Sequence, residues 1–95
     1  MRGSNHVGAL GTFARLALSH DVIALCMSVS SVNLMAPWGG AEALLGTNPF
    51  AYVVPGDAEG PIVFDMSSSV VAYGLVRGAA QRGEAIPEGW MIDKD

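Results

Sequence analysis

The apolar run Val22–Val29 constrains the fold of this 95-residue chain more than any other feature of its sequence. Side chains of a strand alternate between its two faces, so a continuous apolar run makes both faces apolar. Such a strand is predicted to lie at the centre of a sheet that is covered on either side. A chain of this length has much surface for its volume, yet 51% of its residues are hydrophobic and only 15% are charged. We therefore expect it either to oligomerise or, preferably, to be a piece of a larger protein.

A first helix is predicted over 7–19 from apolar residues at helical spacing, and a second helix is predicted near 69–82 from its end signals. Ser4 or Asn5 can cap the start of the first helix. Ser67–Ser69 supply cap candidates for the second, and Gly83 is well placed as its C-terminal stop.

Two further short strands are predicted over 50–54 and 61–65, separated by a turn over 57–60. The order helix, strand, loop, strand, strand, helix indicates a layered α/β fold, with α+β as the alternative. The length allows one small domain rather than two.

Charge and cysteine content exclude several functional classes. The chain has 5 Lys and Arg against 9 Asp and Glu, so its net charge is -4 and nucleic acid is an unlikely partner. It has one cysteine, which rules out an internal disulfide framework. No apolar run approaches the ~18 residues of a membrane-spanning helix, and the first residues lack the apolar core of a secretion signal. We expect no membrane partner and a cytoplasmic location.

Two histidines are candidates for chemistry. His6 precedes the first predicted helix, and its imidazole can exchange a proton near neutral pH. A capping or solvent-facing role is the alternative for His6. His20 ends that helix, where a cation meets the negative end of the helix dipole. The pair lacks a third ligand at a recognisable spacing, so no metal site is predicted.

Two glycine-containing loops could reach a ligand. In the segment Ala36–Gly40, Trp38 could stack on a flat ligand, or it could pack in the core of a rigid turn. In the segment Gly46–Pro49, Thr47 and Asn48 could present polar atoms to a ligand, or the segment could be a turn that leads into a strand.

The segment Ile62–Ser69 runs from an apolar strand through Asp65 to three serines at a predicted helix start. Free N–H groups and the positive end of a helix attract phosphate, although plain N-capping is the alternative for the serines. The sequence contains neither G-x-G-x-x-G nor G-x-x-x-x-G-K-[ST], so any nucleotide site is of neither the Rossmann nor the Walker type.

Five short motifs occur in one order along the chain, namely Ser4-Asn5-His6-x-Gly8, Ala36-Pro37-Trp38-Gly39-Gly40, Leu45-Gly46-Thr47-Asn48-Pro49, Asp65-Met66-Ser67-x-Ser69 and Pro87-Glu88-Gly89-Trp90. Together they resemble the malate/L-lactate dehydrogenase family, which includes ureidoglycolate and sulfolactate dehydrogenases and cyclic-imine reductases. Members of this family are much longer than this chain, so the resemblance covers a middle slice of them.

The resemblance implies a non-Rossmann NAD(P)-binding fold, with helices layered on a mixed sheet, that is incomplete in this chain. Residues 1–95 would form a partial NAD(P)-binding and catalytic domain of a longer dehydrogenase. That enzyme would use NAD or NADP to move hydride to or from a small 2-hydroxy or 2-oxo acid. It would be a homodimer at full length.

The resemblance also implies roles for individual residues. The histidine of the first motif, His6, is the candidate acid or base. The cofactor-binding positions of the family fall on Asp65, Met66, Ser67 and Ser69 and, in the loop after the preceding strand, most closely on Ser30. The alternative is a non-catalytic truncated product that only associates with itself or with a full-length partner. A third reading, an unrelated anion-binding module, needs no family resemblance.

Overall fold

The computed structural model describes residues 5–93. Its elements in chain order are α1 (Leu10–Ala14), a 3-10 helix (Arg15–His20), β1 (Ala24–Met27), β2 (Phe50–Val54), β3 (Ile62–Met66) and α2 (Tyr73–Arg82). The chain divides into two compact units. Unit 1 comprises Met1–Ser28 and Pro49–Met66, and unit 2 comprises Val29–Asn48 and Ser67–Asp95. That residues 1–95 form one partial domain stays a prediction.

The three strands of unit 1 form one sheet in the order β1-β2-β3. Both pairings are antiparallel, so the mixed sheet predicted above is not found in the described residues. The reason is local for β2 and β3. A short turn, in which the Gly60 N–H donates to the Asp57 carbonyl at 3.0 Å, reverses the chain between them, and a short turn can join only antiparallel neighbours. The layered helix-and-strand architecture is confirmed for the described residues, as a small α/β structure with an antiparallel sheet.

One face of this sheet is covered by α1, which lies against all three strands. The fully buried side chains Ala51 and Val53 of β2 point to this face, and Leu10 and Ala14 of α1 are buried with them. These four small or medium side chains are the hydrophobic core of unit 1. The strands predicted over 50–54 and 61–65 are confirmed, the second displaced by one residue to Ile62–Met66.

The opposite face of the sheet is apolar or aromatic throughout. Directly paired residues share a face, and the register joins Leu25 to Tyr52 and Tyr52 to Phe64. The face, called here the apolar sheet face, consists of Leu25, Met27, Phe50, Tyr52, Val54, Ile62, Phe64 and Met66. It is largely open, since Leu25 is 59% and Met27 71% exposed.

The prediction that β1 is a central strand covered on both sides is therefore wrong for the described residues. β1 lies at an edge of the sheet and is shorter than predicted, Ala24–Met27. Its sequence is apolar on both faces as expected, but the helical segments that pack against the sheet within the described part of unit 1, α1 and the 3-10 helix, leave the apolar sheet face largely open. Burial depends on which layers are present as well as on the strand's own pattern.

The first helix also differs from its prediction. It begins at Leu10 rather than at residue 7, because Gly8 has φ +73° and Ala9 is extended, and neither conformation continues a helix. Among residues 5–9 no side chain caps it, so the cap predicted for Asn5 is wrong, while Ser4 lies outside the described residues. After Ala14 the chain tightens into the 3-10 helix that ends at His20.

The second helix, α2 in unit 2, begins four residues later than predicted. Its N-cap is Ala72, and Ser67–Ser69 do not cap it. Its end at Gly83 is confirmed, with that glycine in the left-handed conformation at φ +67°. The last turn pairs Arg82 with Glu84, and this hydrogen bond raises the pKa of Arg82 above its usual value. Within residues 5–93, neither helix has the length and apolar character required to cross a bilayer.

Candidate functional site

His6 lies exposed in unit 1 beside the turn that precedes α1. Its Nδ1 accepts the N–H of Gly8 at 3.0 Å. Gly8 makes this contact with a left-handed φ of +73°. Glycine adopts this conformation without strain. Because Nδ1 accepts, the neutral imidazole carries its proton on Nε2 and presents that nitrogen as a hydrogen-bond donor.

Asp65, near the end of β3, contacts the start of α1. Its Oδ2 accepts the N–H of Gly11 at 2.8 Å across 54 positions of sequence. The first N–H groups of a helix have no partner within it, and a carboxylate there is favoured by the helix dipole. A side chain on Gly11 would meet this carboxylate, since its Cβ would lie 2.9 Å from Oδ2. The structure thus places Asp65 as the cap of α1, a role that sequence reasoning missed.

Met66, the last residue of β3, pairs with Phe50 and belongs to the apolar sheet face. It is 58% exposed. A thioether here can offer apolar contact but no strong hydrogen bond.

Ser30, in unit 2, is held by two sets of hydrogen bonds. Its N–H donates to Oδ1 of Asn48 at 3.1 Å. Its hydroxyl donates to the Val32 carbonyl at 2.9 Å and accepts the Val32 N–H at 3.3 Å. The two hydrogen bonds between the Ser30 hydroxyl and Val32 close a local serine turn, which fixes the backbone of the loop after β1.

Ser67 and Ser69 are brought together in the bend before α2. Their hydroxyl oxygens lie 2.9 Å apart, and the Ser69 hydroxyl also donates to the Val71 carbonyl at 2.9 Å. The Ser67 hydroxyl lies 3.3 Å from the Ser69 carbonyl as well. Each hydroxyl has one proton, so these contacts use both protons and leave oxygen lone pairs for a ligand.

Ser68, between them, was not a predicted site residue. Its N–H and its hydroxyl both donate to the Thr47 carbonyl, at 3.0 and 3.1 Å. The signal that could have found it is the pairing of two motifs, Gly46-Thr47-Asn48 and the serine run, which the sequence analysis treated separately.

A cleft of about 720 Å³ lies within unit 2. Its walls include the aromatic side chains Trp38, Tyr73 and Trp90 and the polar residues Thr47, Ser68 and Ser69. None of the lining residues within 5–93 is charged. Of the predicted cofactor residues, only Ser69 lines it. Trp38 is fully exposed, so the alternative that it packs in the core of a rigid turn is wrong.

A second concavity, of about 560 Å³, lies in unit 1 near the β2–β3 turn. Asp21, Asp57 and Glu59 line it. Three carboxylates repel an anionic ligand, so this concavity is a poor site for a dinucleotide. Among residues 5–93, no group of three His, Cys, Asp or Glu side chains could hold a metal ion.

Comparison with known proteins places these residues in a family. The family model for malate/L-lactate dehydrogenase matches residues 1–95. The chain is 42% identical over 91 residues to (2R)-3-sulfolactate dehydrogenase (NADP(+)) of Chromohalobacter salexigens, covering 96% of the chain and 27% of that enzyme. It is 38% identical over 90 residues to ureidoglycolate dehydrogenase (NAD(+)) of Escherichia coli K12, covering 95% of the chain and 26% of that enzyme.

Solved structures of dehydrogenases and reductases are also similar to this chain. A dehydrogenase from Sinorhizobium meliloti superposes with a TM-score of 0.84 at 43% identity, over 96% of this chain and 26% of that one. A delta1-piperideine-2-carboxylate reductase from Pseudomonas syringae superposes with a TM-score of 0.73 at 38% identity, over 90% of this chain and 26% of that one. The chain spans about a quarter of the length of these relatives.

Proposed function

Because the chain belongs to the malate/L-lactate dehydrogenase family, as the five ordered motifs predict, we propose that it forms part of an NAD(P)-dependent oxidoreductase. The reaction is hydride transfer between nicotinamide and a small 2-hydroxy or 2-oxo acid. The observation that carries the proposal is the family match over the whole chain. Relatives named for NADP(+) and for NAD(+) both match, which supports a nicotinamide cofactor and leaves both forms as candidates.

The cleft of unit 2 suits part of such a cofactor. Exposed Trp38 offers a face on which a flat ring can stack, and the hydroxyls beside it can bond to ribose. When bound, the cofactor supplies or accepts the hydride. We assign Ser69 to the cleft contact and Ser30 and Ser67 to the proposed cofactor surface of unit 2. Asp65 and Met66, in unit 1, are proposed separately as cofactor contacts. These assignments rest on the family resemblance.

His6 is proposed as the acid or base of the reaction. Neutral His6 presents Nε2–H as a donor, which can polarise a substrate oxygen. To take up a proton, His6 must use Nδ1, the nitrogen that accepts the Gly8 N–H. To release one, it must start as imidazolium, which is protonated on both nitrogens. Either transfer therefore requires the Gly8 contact to open, so this contact is expected to open and close in each cycle.

Cofactor binding is tested by titrating the chain with NADH and NADPH and following its amide NMR spectrum. We expect the tighter cofactor to shift the amides of Ser69 and its neighbours and the indole of Trp38. If neither cofactor at millimolar concentration shifts any amide peak, the proposal that this chain carries a cofactor surface is wrong.

The His6 role is tested in a chimera in which this chain replaces the matching segment of the Chromohalobacter enzyme, so that the remaining three quarters of the fold are present. We expect His6→Ala to lower turnover by about 10²- to 10⁴-fold, the usual contribution of acid–base catalysis. His20→Ala, a change at another exposed histidine, is the matched control and should keep turnover. Full turnover in the His6 variant would eliminate the role.

The apolar sheet face favours a second candidate, a truncated product without activity of its own that associates with itself or with a full-length partner. Leu25, Met27, Ile62 and Met66 are each more than half exposed on this face. Contiguous exposed apolar surface of this kind drives association. Sedimentation should show oligomers that Leu25→Lys dissociates, with Leu16→Lys, at an exposed leucine off the sheet, as the control. A monomeric wild-type chain would refute this candidate.

The homodimeric state of a full-length protein and its cytoplasmic location rest on the family resemblance and on the composition. Both are retained as proposals. The identity of the acid is proposed only as a class, since the matching relatives are named for sulfolactate, malate and ureidoglycolate.

A further inference from the structure

The turn Gly46–Asn48 contacts both unit 2 segments that carry proposed cofactor residues. Its Asn48 side chain accepts the Ser30 N–H at 3.1 Å. Its Thr47 carbonyl accepts two hydrogen bonds from Ser68, which stands between Ser67 and Ser69. One short turn thus holds the loop after β1 and the serine bend before α2.

Gly46 shows how closely this arrangement is packed. The residue is buried. A Cβ on it would lie 2.6 Å from the Cβ of Ser30 and 2.8 Å from Oδ1 of Asn48. Carbon atoms do not approach this closely, so any side chain at position 46 would displace the Ser30 loop or the Asn48 side chain.

Asn48 has an unusual backbone as well. Its φ is +23°, in the left-handed region that Asn and Asp tolerate better than other residues with a side chain. A non-glycine residue in this region is strained unless the surroundings hold it there. At Asn48, the residue with the strained backbone also accepts the Ser30 N–H through its side-chain oxygen.

We propose that Asn48 is a positioning residue, which through its side-chain oxygen holds the Ser30 loop in the conformation that receives the dinucleotide. This inference rests on the proposed function, since it takes Ser30 as part of the cofactor surface. Asn48 acts through Ser30 and through the turn, and it needs no contact with the reacting atoms.

A pair of substitutions at this position separates the hydrogen bond from the backbone strain. Asn48→Gly removes the acceptor and tolerates the positive φ. Asn48→Asp keeps an oxygen acceptor and also tolerates this φ. Asn33→Gly is the matched control, because Asn33 is an exposed asparagine of the same unit with no hydrogen bond among residues 5–93.

The first readout is independent of any cofactor. We expect hydrogen exchange of the Ser30 amide to accelerate in Asn48→Gly and to stay protected in Asn48→Asp and in Asn33→Gly. The amide spectrum of unit 1 should be unchanged in all three variants, which shows that the chain still folds. An unchanged Ser30 amide in Asn48→Gly would overturn the proposal.

The second readout is the affinity for NADH and NADPH. The net contribution of one hydrogen bond corresponds to about a 3- to 10-fold change in affinity, so Asn48→Gly should weaken binding by that factor. Asn33→Gly should leave the affinity unchanged. If the Ser30 amide opens and the affinity stays at the wild-type value, the positioning role is refuted while the cofactor site stands. If the wild-type chain binds neither cofactor, the proposed function fails, and with it the role of Asn48 toward a dinucleotide, whatever the Ser30 amide shows.

Discussion

Replacing Gly11 by alanine tests the contact between β3 and the start of α1. In a helix, alanine is favoured over glycine by about 1 kcal/mol. At this position the new Cβ would lie 2.9 Å from Oδ2 and 3.0 Å from Cβ of Asp65. The Asp65 carboxylate must then move away, and the hydrogen bond of 2.8 Å to the Gly11 N–H lengthens or breaks. Two opposite effects therefore compete in one substitution.

Their magnitudes decide the sign. Crowding a packed position costs about 1–3 kcal/mol, and losing a hydrogen bond to a charged group costs about 1.5–3 kcal/mol. Asp65 is partly exposed, so we take the lower part of the second range. After the gain in helix propensity is subtracted, Gly11→Ala should lower the free energy of unfolding by about 1.5–4 kcal/mol.

Gly74→Ala is the matched control. Gly74 is the second residue of α2, as Gly11 is of α1, and both helices start after an extended alanine. A Cβ on Gly74 would meet nothing within 4 Å. This substitution should therefore stabilise the protein by about 0.5–1 kcal/mol.

Urea unfolding followed by far-ultraviolet circular dichroism measures both variants against the wild type. Opposite signs for the two substitutions would support the close approach of Asp65 to α1. If Gly11→Ala stabilises the chain as much as Gly74→Ala does, space is available at residue 11, and the capping role given to Asp65 is wrong.

Three further predictions follow from single positions. Gly83→Ala should lower the free energy of unfolding by about 1 kcal/mol, because a residue with a side chain is strained at φ +67°. An unchanged thermal melting curve would contradict this prediction. Acrylamide should quench tryptophan fluorescence more strongly in Trp90→Phe, which keeps the fully exposed Trp38, than in Trp38→Phe, which keeps the half-buried Trp90. Equal quenching constants would contradict the exposure of Trp38. Ser67→Glu should weaken NADH binding about tenfold, because it adds a negative charge to the surface proposed to receive an anionic dinucleotide, whereas Ser19→Glu in unit 1 should leave the affinity unchanged; calorimetric titration measures both.

Elements governed by neighbouring residues were predicted well from the sequence. The strand over 50–54 follows from its own apolar and aromatic residues, and the turn at 57–60 from its Pro-Gly-Asp start. The end of α2 at Gly83 was predictable because it depends on the left-handed φ of that one residue. The family, too, follows from short motifs and their order, since each motif is local.

Features that depend on distant partners could not be predicted in this way. Asn5 carried a capping signal, but the acceptor at the start of α1 comes from Asp65, 54 positions after Gly11. Ser68 is drawn to Thr47, 21 positions earlier, and this contact accompanies a bend where the sequence pattern favoured helix. A serine suits an N-cap and a serine turn equally, so tertiary contacts decide between them.

The hydroxyl protons of the serine bend bear on which part of a dinucleotide it can receive. Ser69 donates to the Val71 carbonyl and Ser67 to Ser69, so both hydroxyls present lone pairs rather than protons. Phosphate oxygens accept hydrogen bonds, and they match such a surface poorly; ribose hydroxyls and a carboxamide N–H donate, and they match it well. Among the residues that the structure describes, no cationic side chain lines the cleft to offset phosphate charge either. If this bend receives the cofactor, it therefore suits a sugar or an amide, and the phosphate site suggested by the sequence must draw its donors from backbone N–H groups or from another part of the protein.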